Sequence, residues 1–196
     1  TDPYWEWWGN PAISTSEDFK FGYYDNSASN WDKIAYEAPY YLIVKSSGNN
    51  RGERGPAEGQ PYYRRSSGGS FEVVSARTNV SSNDGYDIIS TYGNAKNILT
   101  VGAVEPIAEG YLKPSDVRIS TFSSWGPTDD GRIKPDIVGN GVSLLSSMGS
   151  ADDAYASLSG TSMSSPNVAG SLLLLQEHYS NVADGKLMRA ATLKGV

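Results

Sequence analysis

The chain has 196 residues and a mass of 21.1 kDa, enough for one domain with a core of its own. Sixteen Lys and Arg stand against 22 Asp and Glu, a net charge of −6 with a pI near 4.8. That balance argues against a nucleic-acid binder working by phosphate neutralisation, and 38% hydrophobic with 19% charged residues fits neither a membrane-embedded chain nor a charged disordered tail. Cysteine is absent, which removes disulfides, thiolate metal sites and a cysteine nucleophile. The one histidine, His178, excludes a multi-histidine zinc site; any triad within the chain would have to use it.

The first residues, TDPYWEWWGN, have neither a basic start nor an apolar stretch and do not read as a signal peptide. Tyr4, Trp5, Trp7 and Trp8 are either a stacking platform for a sugar or peptide or a buried aromatic cluster. Residues 31–39 predict a short helix, with Asn30 as its cap and Pro39 beyond its end. The run Tyr41–Val44 predicts a buried parallel strand that stops at Ser46-Ser-Gly-Asn-Asn50. Residues 51–85 are Gly-rich and polar and predict a long loop insertion with a short strand at Phe71–Val74. Arg64 and Arg65 within it are a handle for acidic substrates or a solvated pair.

Residues 97–104 predict a second buried strand and 117–124 a third. Trp125–Gly131 predicts a turn, and Pro135–Val138 a short strand that Val142–Ser146 extends. An apolar helix is expected from Gly160 to about Tyr179, and a final amphipathic helix over Lys186–Lys194. The longest apolar run, Leu172–Leu175, is far short of the roughly 20 residues of a membrane helix. Apolar strands alternating with helices predict an α/β fold with a mostly parallel central sheet flanked by helices.

The most informative stretch is Gly160-Thr161-Ser162-Met163-Ser164-Ser165-Pro166. It places Ser162 in the first turn of a helix, where unpaired N–H groups and the positive end of the dipole gather. Ser162 there is a helix cap, or a nucleophile whose tetrahedral intermediate would find its charge already accommodated. Residues 160–170, GTSMSSPNVAG, resemble the active-serine motif of the subtilisin-like serine proteases at eleven consecutive positions. Ser46-Ser-Gly-Asn49 resembles the strand-end segment that carries the family's oxyanion asparagine. Residues 95–104, Phe122-Ser-Ser-Trp-Gly-Pro127 and Lys134-Pro-Asp-Ile-Val138 are similar to further family segments, in family order. The resemblance covers about residue 31 to the end.

It implies a subtilisin-like fold and peptide-bond hydrolysis, with Ser162 as nucleophile and Asn49 in the oxyanion hole. Ser47, Gly48 and Thr161 would line the substrate side, and Met163 would help position the nucleophile. It implies a polypeptide substrate and a secreted or cell-envelope location. No cofactor is required; family members often bind calcium, but no EF-hand spacing occurs here and no ligand set is assigned. One departure is Gly139-Asn140-Gly141, where many relatives have Ala-Pro-Gly.

The family's Asp and His, which precede the Ser in the chain, are missing. His178 lies sixteen residues past Ser162 on one expected helix, about 24 Å away at ~1.5 Å per residue, far beyond the reach of a general base. Asn83-Asp84-Gly85, Asp129-Asp130-Gly131 and Asp184-Gly185 follow Asn49 and read as turns. The expectation is therefore that residues 1–196 are the C-terminal portion of a subtilisin-like catalytic domain whose N-terminal half is absent. Such a fragment would be inactive alone and prone to self-association. The alternative is a non-catalytic pseudo-protease or binding module that retains the fold.

Overall fold

The computed structural model describes residues 5–7, 9–10, 12–13, 18–52, 59–66, 68–74 and 86–196. In chain order the elements are β1 (Trp5–Trp7), α1 (Asn26–Glu37), β2 (Val44–Ser46), β3 (Tyr62–Arg65), β4 (Phe71–Val74), β5 (Leu99–Val104), β6 (Ile137–Asn140), β7 (Leu144–Ser147), β8 (Tyr155–Leu158), α2 (Thr161–Val182) and α3 (Ala190–Gly195). Short 3-10 turns lie at Thr91–Asn94 and Pro114–Asp116.

The central sheet is parallel, in the order β2-β5-β6. All six residues of β5, LTVGAV, are buried, as expected of a strand with no solvent face. Helix α2 packs across all three strands, and Leu99, Val101 and Val168 form the core beneath it with Leu42, Val44 and Leu172. Ala28 of α1 meets Ala95 and Ile98 in a second cluster. The α/β expectation with a parallel sheet therefore holds.

Boundaries differ from the sequence reading for local reasons. Helix α1 begins at Asn26, not near residue 31, because Asp25 is the cap: its Oδ1 accepts from the Ala28 N–H at 2.9 Å. Strand β2 is shifted to Val44–Ser46, because its partner β5 starts at Leu99, opposite Val44. The strand expected over 117–124 is a single bridge, Ile119 with Val104. Beyond it the Ser123 hydroxyl, not a backbone carbonyl, takes the Ala103 N–H at 2.9 Å. Strands β6 and β7 do not merge, because the chain turns at Gly141, whose carbonyl accepts from the Gly160 N–H at 2.8 Å. Residues 186–189 are not helical: Gln176 of α2 binds both backbone groups of Met188 at 3.0 Å, and α3 starts only at Ala190.

The insertion holds more order than expected. β3 pairs antiparallel with the anticipated strand β4, and parallel with β1. Trp7 is buried against Tyr62 and Val74 while Trp5 is exposed; Tyr4 and Trp8 lie outside the described residues. Arg64 is paired with Glu72 at 2.6 Å.

The Lys-Pro-Asp segment entering β6 is a buried charge clamp. Lys134 Nζ, with a side chain only 3% exposed, lies 2.6 Å from Asp136 Oδ2 and donates to Thr100 Oγ1 at 3.1 Å. Asp136 also accepts from the Thr100 N–H at 2.7 Å and meets Lys194 of α3 at 3.2 Å. Burial pushes the Asp136 carboxyl up, but the bonds from Lys134 and Thr100 and the charges of both lysines outweigh it and hold it below the usual carboxylate range. Burial holds the Lys134 ammonium below its ordinary range despite Asp136.

Because the folded Asp136 binds its proton more weakly than the unfolded one, its contribution is present above the usual carboxylate pKa and is lost as the pH falls through the depressed value. Asp136→Asn should destabilise the chain at neutral pH by an amount near the lower end of roughly 3–5 kcal/mol, since it strands a buried ammonium. It should also flatten the decline of Tm below about pH 5. Thermal melts of both proteins across pH check this; parallel Tm–pH curves would contradict it.

Candidate active site

The start of α2 and the end of β2 are joined across 112 positions of sequence by one side chain. Asn49 Oδ1 accepts from the Thr161 N–H at 2.9 Å and from the Thr161 hydroxyl at 2.8 Å. Thr161 Oγ1 in turn accepts from the Gly48 N–H at 3.2 Å. With its acceptor end occupied twice, the amide has a defined orientation, and Nδ2 is left as the outward donor.

The turn that presents Asn49 is supported from behind. Ser47 is buried, and its N–H donates to the Val101 carbonyl of β5 at 2.9 Å. Gly48 has φ +116°, a conformation L side chains rarely adopt, and a Cβ there would lie 2.9 Å from Ser124 Oγ. Ser124 donates its N–H to the Gly48 carbonyl at 2.8 Å and accepts the Asn50 N–H on its hydroxyl at 3.1 Å. Ser124 of the Phe-Ser-Ser-Trp segment thus braces the asparagine turn.

Ser162 is exposed in the first turn of α2, and among the described residues its N–H has no acceptor, the usual state of a helix N-terminus. Thr161 beside it is buried. The next hydroxyls are used internally: Ser164 and Ser165 both donate to the Thr161 carbonyl, at 2.9 and 3.0 Å. Pro166 lies inside the helix; lacking an N–H, it offers no bond to the Ser162 carbonyl one turn back. A Cβ on Gly160 would lie 3.3 Å from Asn49 Nδ2, 3.6 Å from Ser162 N and 3.7 Å from Met163 Sδ. Two N–H donors therefore border the space left by the missing side chain.

The departure at Gly139-Asn140-Gly141 has a packing explanation. A Cβ at Gly139 would lie 2.8 Å from Val168 Cγ2, and one at Gly141 would lie 2.6 Å from Ala103 Cβ and 2.9 Å from the Gly160 carbonyl oxygen. The bare backbone lets β6 approach the first turns of α2.

His178 is exposed on α2 with Ser162, so the helix rise keeps it about 24 Å away along the axis. Asp130 lies in a turn closed by Thr128 N–H to the Arg132 carbonyl at 2.9 Å, and it pairs with Arg132. Asp184 lies in the turn after α2; residues 83–85 are outside the described residues. No three His, Cys, Asp or Glu side chains gather as a metal ligand set among the described residues. Sequence reasoning placed Thr161 beside the substrate and missed its tie to Asn49; the motif spelled the residue, but the bond appears only once β2 and α2 meet.

An exposed hydroxyl at a helix N-terminus, a free backbone N–H and an oriented amide donor are the parts that acyl-transfer chemistry uses. The model of the Subtilase family matches residues 8–196, and the chain belongs to that family. It is 49% identical over 89 residues to the C5a peptidase of Streptococcus pyogenes serotype M3 (strain ATCC BAA-595 / MGAS315), a match covering 44% of this chain and 7% of that protein. It is 38% identical over 109 residues to pyrolysin of Pyrococcus furiosus, covering 46% of this chain and 8% of that protein. Among solved structures, the self-cleaved protease domain of PatA superposes with a TM-score of 0.55 at 19% identity, covering 89% of this chain and 47% of that one. The Prenylagaramide maturation protease PagA gives 0.54 at 17%, covering 89% and 44%. The fold is subtilisin-like, and the chain spans less than half of these structures and less than a tenth of these curated relatives.

Replacing Thr161 by Val removes the hydroxyl that binds Asn49 and receives the Gly48 N–H. The half-buried Gly48 N–H left unpaired and the bond lost to Asn49 should cost about 1 kcal/mol of stability, while Thr161→Ser should recover most of the loss. Denaturant titration of the three proteins decides; a valine variant as stable as wild type would contradict the tie.

Proposed function

We propose that this chain is the nucleophile-bearing part of a subtilisin-like serine endopeptidase. The observation that supports the reading is that Asn49 Nδ2 and the Ser162 N–H border one space at Gly160, beside an exposed Ser162. Ser162 Oγ attacks the scissile carbonyl carbon while its proton passes to a histidine. The resulting oxyanion is held by Asn49 Nδ2–H and the Ser162 N–H. Collapse breaks the C–N bond, the leaving amine takes the proton from the imidazolium, and water then hydrolyses the acyl-enzyme by the same steps in reverse order. Ser47, Gly48 and Thr161, expected on the substrate side, are assigned here to holding Asn49 in place. Side chains and backbone carry every step, and no cofactor is invoked.

The histidine and its orienting aspartate are assigned to protein outside these 196 residues. Two features support this. Among the described residues strand β2 pairs on one side only, with β5, and the outer face of α2 carries Leu173, 71% exposed, and Leu174, 68% exposed. Left bare, that face should drive self-association of the isolated chain. The substrate is a polypeptide and the location secreted or at the cell envelope, following the family resemblance. Among the described residues no helix is long and apolar enough to cross a membrane. The placement of the single histidine favours a second reading, a binding module that keeps the fold without the chemistry.

In the full-length protein, Ser162→Ala should lower kcat on casein by about 10⁶, as loss of the triad serine does in subtilisin. Asn49→Ala should cost about 10²–10³ in kcat with little change in KM, again the figure set by subtilisin itself. The pure 196-residue chain should show no peptidase activity sensitive to phenylmethylsulfonyl fluoride. A full-length protein that cleaves nothing after removal of any pro-segment would hand the case to the binding module.

A further inference from the structure

Arg51 follows the oxyanion candidate Asn49 by two residues, and it is in no ion pair among the described residues. Its guanidinium carbon lies 4.0 Å from the centroid of the Trp125 ring, and Trp125 stacks on Tyr86 at 5.5 Å with 19° between the planes. The Arg51 N–H donates to the Phe122 carbonyl at 3.3 Å, which fixes the base of the side chain. Yet Nη1 is buried and has no hydrogen-bond partner. Arg64, Arg132, Lys134 and Lys194 each meet a carboxylate, whereas Arg51 meets none among the described residues.

A guanidinium presents five donors in a planar fork that matches a carboxylate, and a buried donor without an acceptor is costly. Lying over the Trp125 ring, the guanidinium keeps its N–H donors for a partner. Two residues of chain separate the Arg51 and Asn49 Cα atoms by at most about 7 Å. An extended substrate advances about 3.3 Å per residue, so Arg51 lies within reach of a side chain a few positions from the scissile bond. The net charge of −6 disfavours acidic peptides at long range, so a local cation is what would admit one.

We propose that Arg51 is a specificity-determining residue that binds the carboxylate of an acidic substrate side chain near the scissile bond, against the Trp125–Tyr86 wall. The inference rests on the protease reading of Ser162 and Asn49. No covalent step is added: the contact is a bidentate ion pair, made with the same donors in substrate and transition state.

The test uses the full-length protein and C-terminally amidated peptides that differ only by Glu, Gln or Lys at each of the four positions on either side of the cleaved bond, so that the tested carboxylate is the side chain's. Wild type should favour Glu over Gln by roughly tenfold or more in kcat/KM at one position, the scale of a charge-assisted hydrogen bond. In Arg51→Gln that ratio should fall close to one, and in Arg51→Glu the Glu/Lys ratio should invert. Ratios are read within each variant, so a general loss of activity does not move them, and fluorophosphonate labelling of Ser162 confirms that each variant retains its site. Equal hydrolysis of Glu and Gln peptides by a labelled wild type, or a Glu/Gln ratio unchanged in Arg51→Gln, would overturn the inference and leave the protease reading standing. A wild type that neither labels nor cleaves would remove both.

Discussion

The bond pair from Thr161 to Asn49 Oδ1 is the constraint on which the site depends. It joins the C-terminal end of a parallel strand to the N-terminal end of the helix that covers the sheet, so the two most distant parts of the motif share one hydrogen-bonded unit. Turning the amide over would present Nδ2 to the Thr161 N–H, which can only donate, and would lose that bond. The placement of Nδ2 beside Gly160 is therefore a consequence of packing, not of the exposed surface around it. Thr161 itself is fixed because it is buried and because its oxygen is claimed by the Gly48 N–H.

Everything behind that unit lets a strand end and a helix start approach closely. Gly139 removes a side chain from the face of β6 nearest α2, Gly141 lets the turn after β6 lie close to Ala103 and the Gly160 carbonyl, and Gly160 leaves open the space between the two donors. Ser123 and Ser124 supply hydroxyls where the chain leaves regular pairing beside β5 and the asparagine turn. The Lys134–Asp136–Lys194 clamp then ties β6 and α3 to the start of β5. These polar contacts are satisfied at fixed geometry, which suits a region that must hold two donors in register.

Much of this was legible in the sequence where the information is local. The GTSM run fixed Ser162 at a helix start, and the apolar stretch before Ser-Ser-Gly-Asn placed Asn49 after a strand. β5 read clearly because every position is apolar or small. The start of α1 was hidden because Asn-Ser-Ala-Ser-Asn carries little helix propensity; those residues are helical because Asp25 caps them and Ala28 packs on Ala95 and Ile98. The strand expected over 117–124 failed because hydroxyls there replace the ladder. The insertion looked like loop because β3 has few apolar residues, and its order comes from pairing with β1, more than fifty residues upstream. Arg51 gave no signal at all: an arginine in a Gly-rich segment is ordinary until Trp125 is found beneath it.

The most direct test of the account is to treat the full-length protein with a fluorophosphonate and map the modified residue by peptide mass spectrometry. The account predicts an adduct on Ser162 and none on Ser164 or Ser165, whose hydroxyls are bound to the Thr161 carbonyl. An adduct on either of those neighbours, or none on any serine of residues 160–166, would contradict it.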